Sequence, residues 1–128
     1  MGPCKTILSV FIVATTLSVF SPYSHGDGDL FSSLKVESLT RDAEHGNHQM
    51  QYLLAAKYYH GAGIQVDYKK AFYWFNKAVE SEQVDDYSRL AEFSLGSCYD
   101  FGHGTEQDYI KAAHWYEKSA NHGLSLGA

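Results

Sequence analysis

Two near-copies of one motif, displaced by 41 residues, restrict what this chain can fold into more than any other feature. Aligning Leu54 to Lys77 with Leu95 to Lys118 gives ten identities in 24 positions. Leu54 pairs with Leu95, Tyr58 with Tyr99, Gly61 with Gly102, Gly63 with Gly104, and Asp67-Tyr68 with Asp108-Tyr109. Lys70-Ala71, Trp74 and Lys77 recur as Lys111-Ala112, Trp115 and Lys118. A repeated unit of this length is one supersecondary element that buries its apolar face only by stacking on a neighbour.

Each copy reads as helix, glycine turn, helix. Met50, Leu53, Leu54 and Tyr58 share one face of a helix expected over about Asn47 to His60. Gly61 and Gly63 stop it, and Asp67 is the candidate cap of the next helix. Ala71, Trp74, Phe75 and Ala78 then fall at i, i+3, i+4 and i+7, an apolar stripe with room for close helix approach at the alanines. In the second copy Ala91, Leu95 and Tyr99 take the first face, Gly102 and Gly104 the turn, and Asp108 the cap. Ala112, Trp115, Tyr116 and Ser119 form its stripe. The expected fold is therefore all-α: two helical hairpins, at 45–82 and 86–123, behind an N-terminal capping helix within 27–44. Asp29 is the candidate cap of that helix, which carries Leu30, Leu34 and Leu39. Residues 124–128 follow an Ala-Asn-His-Gly that echoes Ala43-Glu44-His45-Gly46, and read as the start of a third unit.

Residues 1–26 read as a signal peptide. Lys5 precedes a continuous apolar tract from Ile7 to Phe20, too short to span a bilayer comfortably and of the length of an export signal's core. Ser24 and Gly26 place small residues before a cut after Gly26. Export to the periplasm or beyond is the expectation, with an uncleaved N-terminal anchor as the alternative and the sole route to a membrane. The cut removes both prolines and Cys4, leaving a proline-free helical chain with Cys98 as its one thiol. Cys98 then reads as a small buried apolar residue. The net charge of −5 argues against a nucleic-acid partner.

The pattern Leu-x3-Tyr-x2-Gly-x-Gly-x3-Asp-x2-Lys-Ala-x2-Trp-aromatic-x-Lys resembles the Sel-1-like repeat, a relative of the tetratricopeptide repeat. Leu54, Tyr58, Gly61, Gly63, Ala71 and Trp74 carry it in the first copy, and Leu95, Tyr99, Gly102, Gly104, Ala112 and Trp115 in the second. The resemblance implies a right-handed α-α solenoid that acts as an adaptor between proteins, exported bacterial members serving host interaction or envelope organisation. Two departures stand out: Ala55 occupies the place of Gly96, and the 41-residue period carries its excess around Glu80 to Leu90. Cysteine-rich relatives associated with β-lactam binding are not matched, because this chain lacks the paired cysteines.

The first helix of each unit is expected to line the partner-binding face. Tyr52 and Tyr59 lie opposite Met50 and Leu54 on the helical wheel, with Phe93 and Asp100 as their counterparts, and these four are the candidate partner contacts. Packing between neighbouring units is the competing role for them. A second candidate surface is the open C-terminal face around Trp115, Tyr116 and Ala120, available to a partner or a second copy. No cofactor or metal is called for. His45 and His48 lack third and fourth ligands, His103 and His114 lack counterparts, and the histidines read as solvated groups. Ser32 and Lys35 match Ser-x-x-Lys, from which a small envelope-modifying hydrolase is the alternative function, but its two companion motifs are absent. A remnant of a longer array is the third reading.

Overall fold

A computed structural model describes residues 35–127, with side-chain surroundings to residue 123. Every regular element there is helical: α1 Val36–Glu44, α2 His48–His60, α3 Tyr68–Val79, α4 Asp86–Phe101 and α5 Tyr109–Gly127. The two expected hairpins are α2–α3 and α4–α5, and α1 packs against α2. Helix α1 starts after Lys35, which is extended and makes no side-chain cap; Asp29, Leu30 and Leu34 lie outside the described residues, as do residues 1–26.

The repeated letters build one recurring turn. Lys57 and Cys98 carbonyls accept the N–H of Gly61 and Gly102, each at φ +71, where an L side chain is strained. Downstream, the Asp67 N–H donates to the Tyr58 carbonyl, and Asp108 repeats this bond to Tyr99. The Asp67 carboxylate accepts from the Lys70 N–H, and Asp108 accepts from Lys111. Each lysine in turn lays its ammonium over the tyrosine ring, 5.3 Å from Tyr58 and 5.4 Å from Tyr99. Tyrosine, aspartate and lysine thus recur together because they close one loop. Asn47 caps α2 through the N–H groups of Gln49 and Met50.

The 41-residue period is accommodated in two places. A loop over residues 80–85 follows α3, and α4 begins a turn earlier than α2 does in its own copy. That extra turn has its own reciprocal cap: Asp85 accepts from the Ser88 N–H while Ser88 Oγ accepts from the Asp85 N–H. At the other end, α5 continues helically through Gly123 to Gly127, where the sequence reading started a new unit at Leu124. The physical reason is local. Gly123 has no positive φ, and Arg89 Cδ would lie 3.1 Å from a Cβ there, so this glycine admits a neighbouring side chain and does not turn the chain.

Two buried clusters hold the array. Leu39, Ala43 and Leu54 seal α1 onto α2, helped by Met50, Leu53 and Trp74. Ala55, Ala71, Phe75, Ala78, Ala91, Leu95 and Cys98 join the two hairpins. Small residues dominate this second cluster, so the helices approach closely around a single large ring, Phe75. Ala112 is buried on α5, and Trp74 and Trp115 are half-buried at the cluster's margin.

Candidate functional site

A groove of about 230 Å³ lies between α2 and α4, the first helices of the two hairpins. Tyr52 and Tyr59 form one wall, Phe93, Ser94 and Ser97 the other, and Phe75 rises between them from α3. Three of the four candidate contacts therefore come together. The fourth, Asp100, follows Phe93 and Ser97 on the same face of α4, at the groove's end. Phe93 is 53% exposed, a large apolar ring left open to solvent on a rim.

The walls are also structural, as the competing reading expected. Tyr52 packs against Phe75 at 5.8 Å and Tyr87 at 6.0 Å between ring centroids. Tyr59 Oη lies 2.8 Å from His103 Nδ1, and its ring meets Phe75 at 6.1 Å. Burial pushes the Tyr52 phenol up, partly offset by the neighbouring Ser94 hydroxyl, which lowers it. Burial likewise raises Tyr59, reinforced by Cys98 and Tyr68. Tyr116, raised first by burial and then by Asp100, donates to Asp100 Oδ2 at 3.2 Å and sits 3.2 Å from Ser97 Oγ. All three hydroxyls stay protonated, and the groove they border also takes in the exposed His60 imidazole.

Tyr116 is one of the three residues expected on the open C-terminal face. Its ring turns back onto α4, where a Cβ on Gly96 would come within 2.6 Å of Cδ1. Gly96 is glycine because this ring lies on its backbone; in the first copy Ala55 and Phe75, the counterpart of Tyr116, share one buried cluster. Trp115 is half-buried, and Ala120 alone of the three is exposed. The exposed large apolar residues of α5 within the described surroundings are Tyr109 and Ile110, the latter 84% exposed.

The histidines divide. His45 and His114 are exposed, as expected of solvated groups. His48 is buried and 2.8 Å from Asp85, and His122 is 2.8 Å from the buried Glu92. His103 stacks on Tyr68 at 4.1 Å and 7°. These three tie helices together, a role no sequence spacing announced. Among the described residues no group of three His, Cys, Asp or Glu side chains is placed to hold a metal ion. Lys35 is exposed, and Ser32 lies outside the described residues. No helix among them is long and apolar enough to cross a membrane.

Sequence reasoning missed Phe75, Ser94 and Ser97 as groove residues. Phe75 was legible only as part of the core stripe. The serines carry a faint signal: Leu90, Ser94 and Ser97 run down one face of α4 beside Phe93.

Antiparallel helices joined by a twice-repeated turn, each hairpin packed on the next, define an α-solenoid of helical hairpins. The Sel1 repeat model matches residues 48–82 and 89–124, and the chain belongs to the Sel1 repeat family. In agreement, the fold is similar to the crystal structure of c5321, described as a protective antigen present in uropathogenic Escherichia coli strains displaying an SLR fold. The TM-score is 0.59 and the identity 34%, over 69% of this chain. The matched region spans only 18% of that protein's length. No curated protein matches.

Proposed function

We propose that this chain is a non-catalytic, exported interaction module that seats a segment of a partner protein in the groove between α2 and α4. Membership of a repeat family built for protein–protein contact supports the general class. The observation that carries the specific reading is the convergence of Tyr52, Tyr59 and Phe93 on one groove with Phe93 left exposed. Aromatic rings held by their neighbours lose little conformational freedom on binding, which suits them as anchors. The leader pattern from Lys5 to Phe20 supports export, to the periplasm or outside the cell. A relative described as a protective antigen is in keeping with a role in envelope organisation or host interaction.

A photo-crosslinking amino acid placed at Phe93 in the native host tests the site. A control at Tyr73, 53% exposed on α3, reports the opposite helix layer. The groove reading expects a discrete crosslinked protein from position 93 and none from position 73. Equal crosslinking from both positions, or from neither, ends it. N-terminal sequencing of the mature protein tests export, with Asp27 the expected first residue. Ser32→Ala and Lys35→Ala are expected to leave the crosslink unchanged, whereas a hydrolase would lose its activity.

A further inference from the structure

We infer that the groove selects an extended segment carrying an apolar side chain and, two residues away, a lysine or arginine that pairs with Asp100. This rests on the groove being the docking site. At about 230 Å³ the cavity is below the roughly 300–1,000 Å³ of small-molecule sites, and matches one large side chain. Its lining is apolar rings, alanine, leucine and hydroxyls, with no carboxylate, ammonium or guanidinium, and its one imidazole, His60, is exposed to solvent. An apolar side chain entering between Phe93 and Phe75 therefore strands no charge.

Charge appears only as the groove is followed along α4. Phe93, Ser97 and Asp100 lie at i, i+4 and i+7, so the carboxylate stands on the same face beyond the cavity. Asp100 Oδ2 accepts from the Tyr116 hydroxyl, which Ser97 also meets, so one neighbour positions the carboxylate and a second braces that neighbour. Hydrogen bonding to neutral hydroxyls leaves its negative charge uncompensated, and no salt bridge to Asp100 occurs among the described residues. At 1.5 Å of rise per residue, Asp100 sits roughly 5–10 Å along the helix from the Phe93–Ser97 level. In an extended segment, side chains two residues apart are on one side and about 6.6 Å apart. The two spacings match. The net charge of −5 draws a cationic segment toward the surface as a whole.

Selection of phage-displayed random heptapeptides on the full protein tests this. The native chain is expected to enrich sequences with an apolar residue and, two positions away, Lys or Arg. Asp100→Lys is expected to keep the apolar residue and exchange the cation for Asp or Glu. Asp100→Asn, a milder change, is expected to bind the selected peptide about tenfold more weakly. Enriched apolar sequences with no cation, or a cation preference that persists in Asp100→Lys, overturn the inference while leaving the groove intact. No enrichment, or enrichment indifferent to Phe93→Ala, removes the groove as a docking site and this inference with it.

Discussion

His48 Nε2 sits 2.8 Å from Asp85 Oδ2, so the first turn of one hairpin is tied to the residue that caps the next. Asp85 also accepts from the Ser88 N–H and begins a helix one turn longer than its counterpart. One carboxylate thereby serves a helix end and the contact between hairpins. Burial alone raises its pKa, but Ser88 and His48 outweigh that and hold it below the ordinary 3.8.

A carboxyl depressed in the folded state contributes stability above its unfolded pKa and loses it as pH falls through the folded value. Asp85→Ala is therefore expected to cost about 1–2 kcal/mol at neutral pH, since it removes a cap and orphans a buried histidine. Asp85→Asn keeps a capping oxygen and is expected to cost less. Urea unfolding at neutral pH and again below the carboxylate range checks both size and sign. The gap between Asp85→Asn and the native chain should close on the acid side.

Two glycines of similar backbone conformation should respond differently to alanine. Gly104 has φ +78, and a Cβ there would run into the Tyr68 carbonyl and lie 2.9 Å from Phe72 Cβ. Gly46 has φ +91 with nothing within 4 Å of the added carbon. Gly46→Ala is expected to cost about 1 kcal/mol, the backbone term alone. Gly104→Ala adds overpacking at the joint between hairpins, for a total of about 3 kcal/mol. Denaturation midpoints of the two variants decide it.

Cys98 is fully buried among alanines and Leu95, and desolvation pushes its thiol up to about 12. The thiolate is the reactive form, so Cys98 should resist alkylation in the native protein and react once it is unfolded. Mass spectrometry of the peptide containing Cys98, with and without denaturant, measures this. Cys98→Ser should cost about 1–3 kcal/mol by burying a hydroxyl in an apolar site.

Phe75 and Phe93 line the same groove and should separate stability from binding. Phe75 is 2% exposed and is the largest ring in the cluster that joins the hairpins. Phe75→Ala is expected to cost about 3–5 kcal/mol. Phe93, on the rim, should cost about 1 kcal/mol or less on truncation, yet abolish co-purification of the partner that the crosslink identifies. Thermal melts alongside co-purification yields distinguish the two outcomes.

Local chemistry was legible wherever the deciding partners lie within one hairpin. Asp67 and Asp108 as caps, Gly61 and Gly102 as helix stops, and the alanine–aromatic stripes all depend on neighbours a few residues away, and periodicity reports these directly. The groove was half legible. Tyr52, Tyr59 and Phe93 could be nominated because repeat symmetry equates positions in the two first helices, whereas Phe75 looked like core alone.

The amino-acid sequence by itself determined that this chain forms helical hairpins and where they turn, because glycine at positive φ and an aspartate cap act through backbone atoms close by. Tertiary structure alone decided how one hairpin sits on the next. His48 meets Asp85, His103 stacks on Tyr68, and Tyr116 lies on Gly96 through contacts that no spacing along the chain encodes. These are questions of volume and direction between helices, settled only when close packing leaves each ring one place to go.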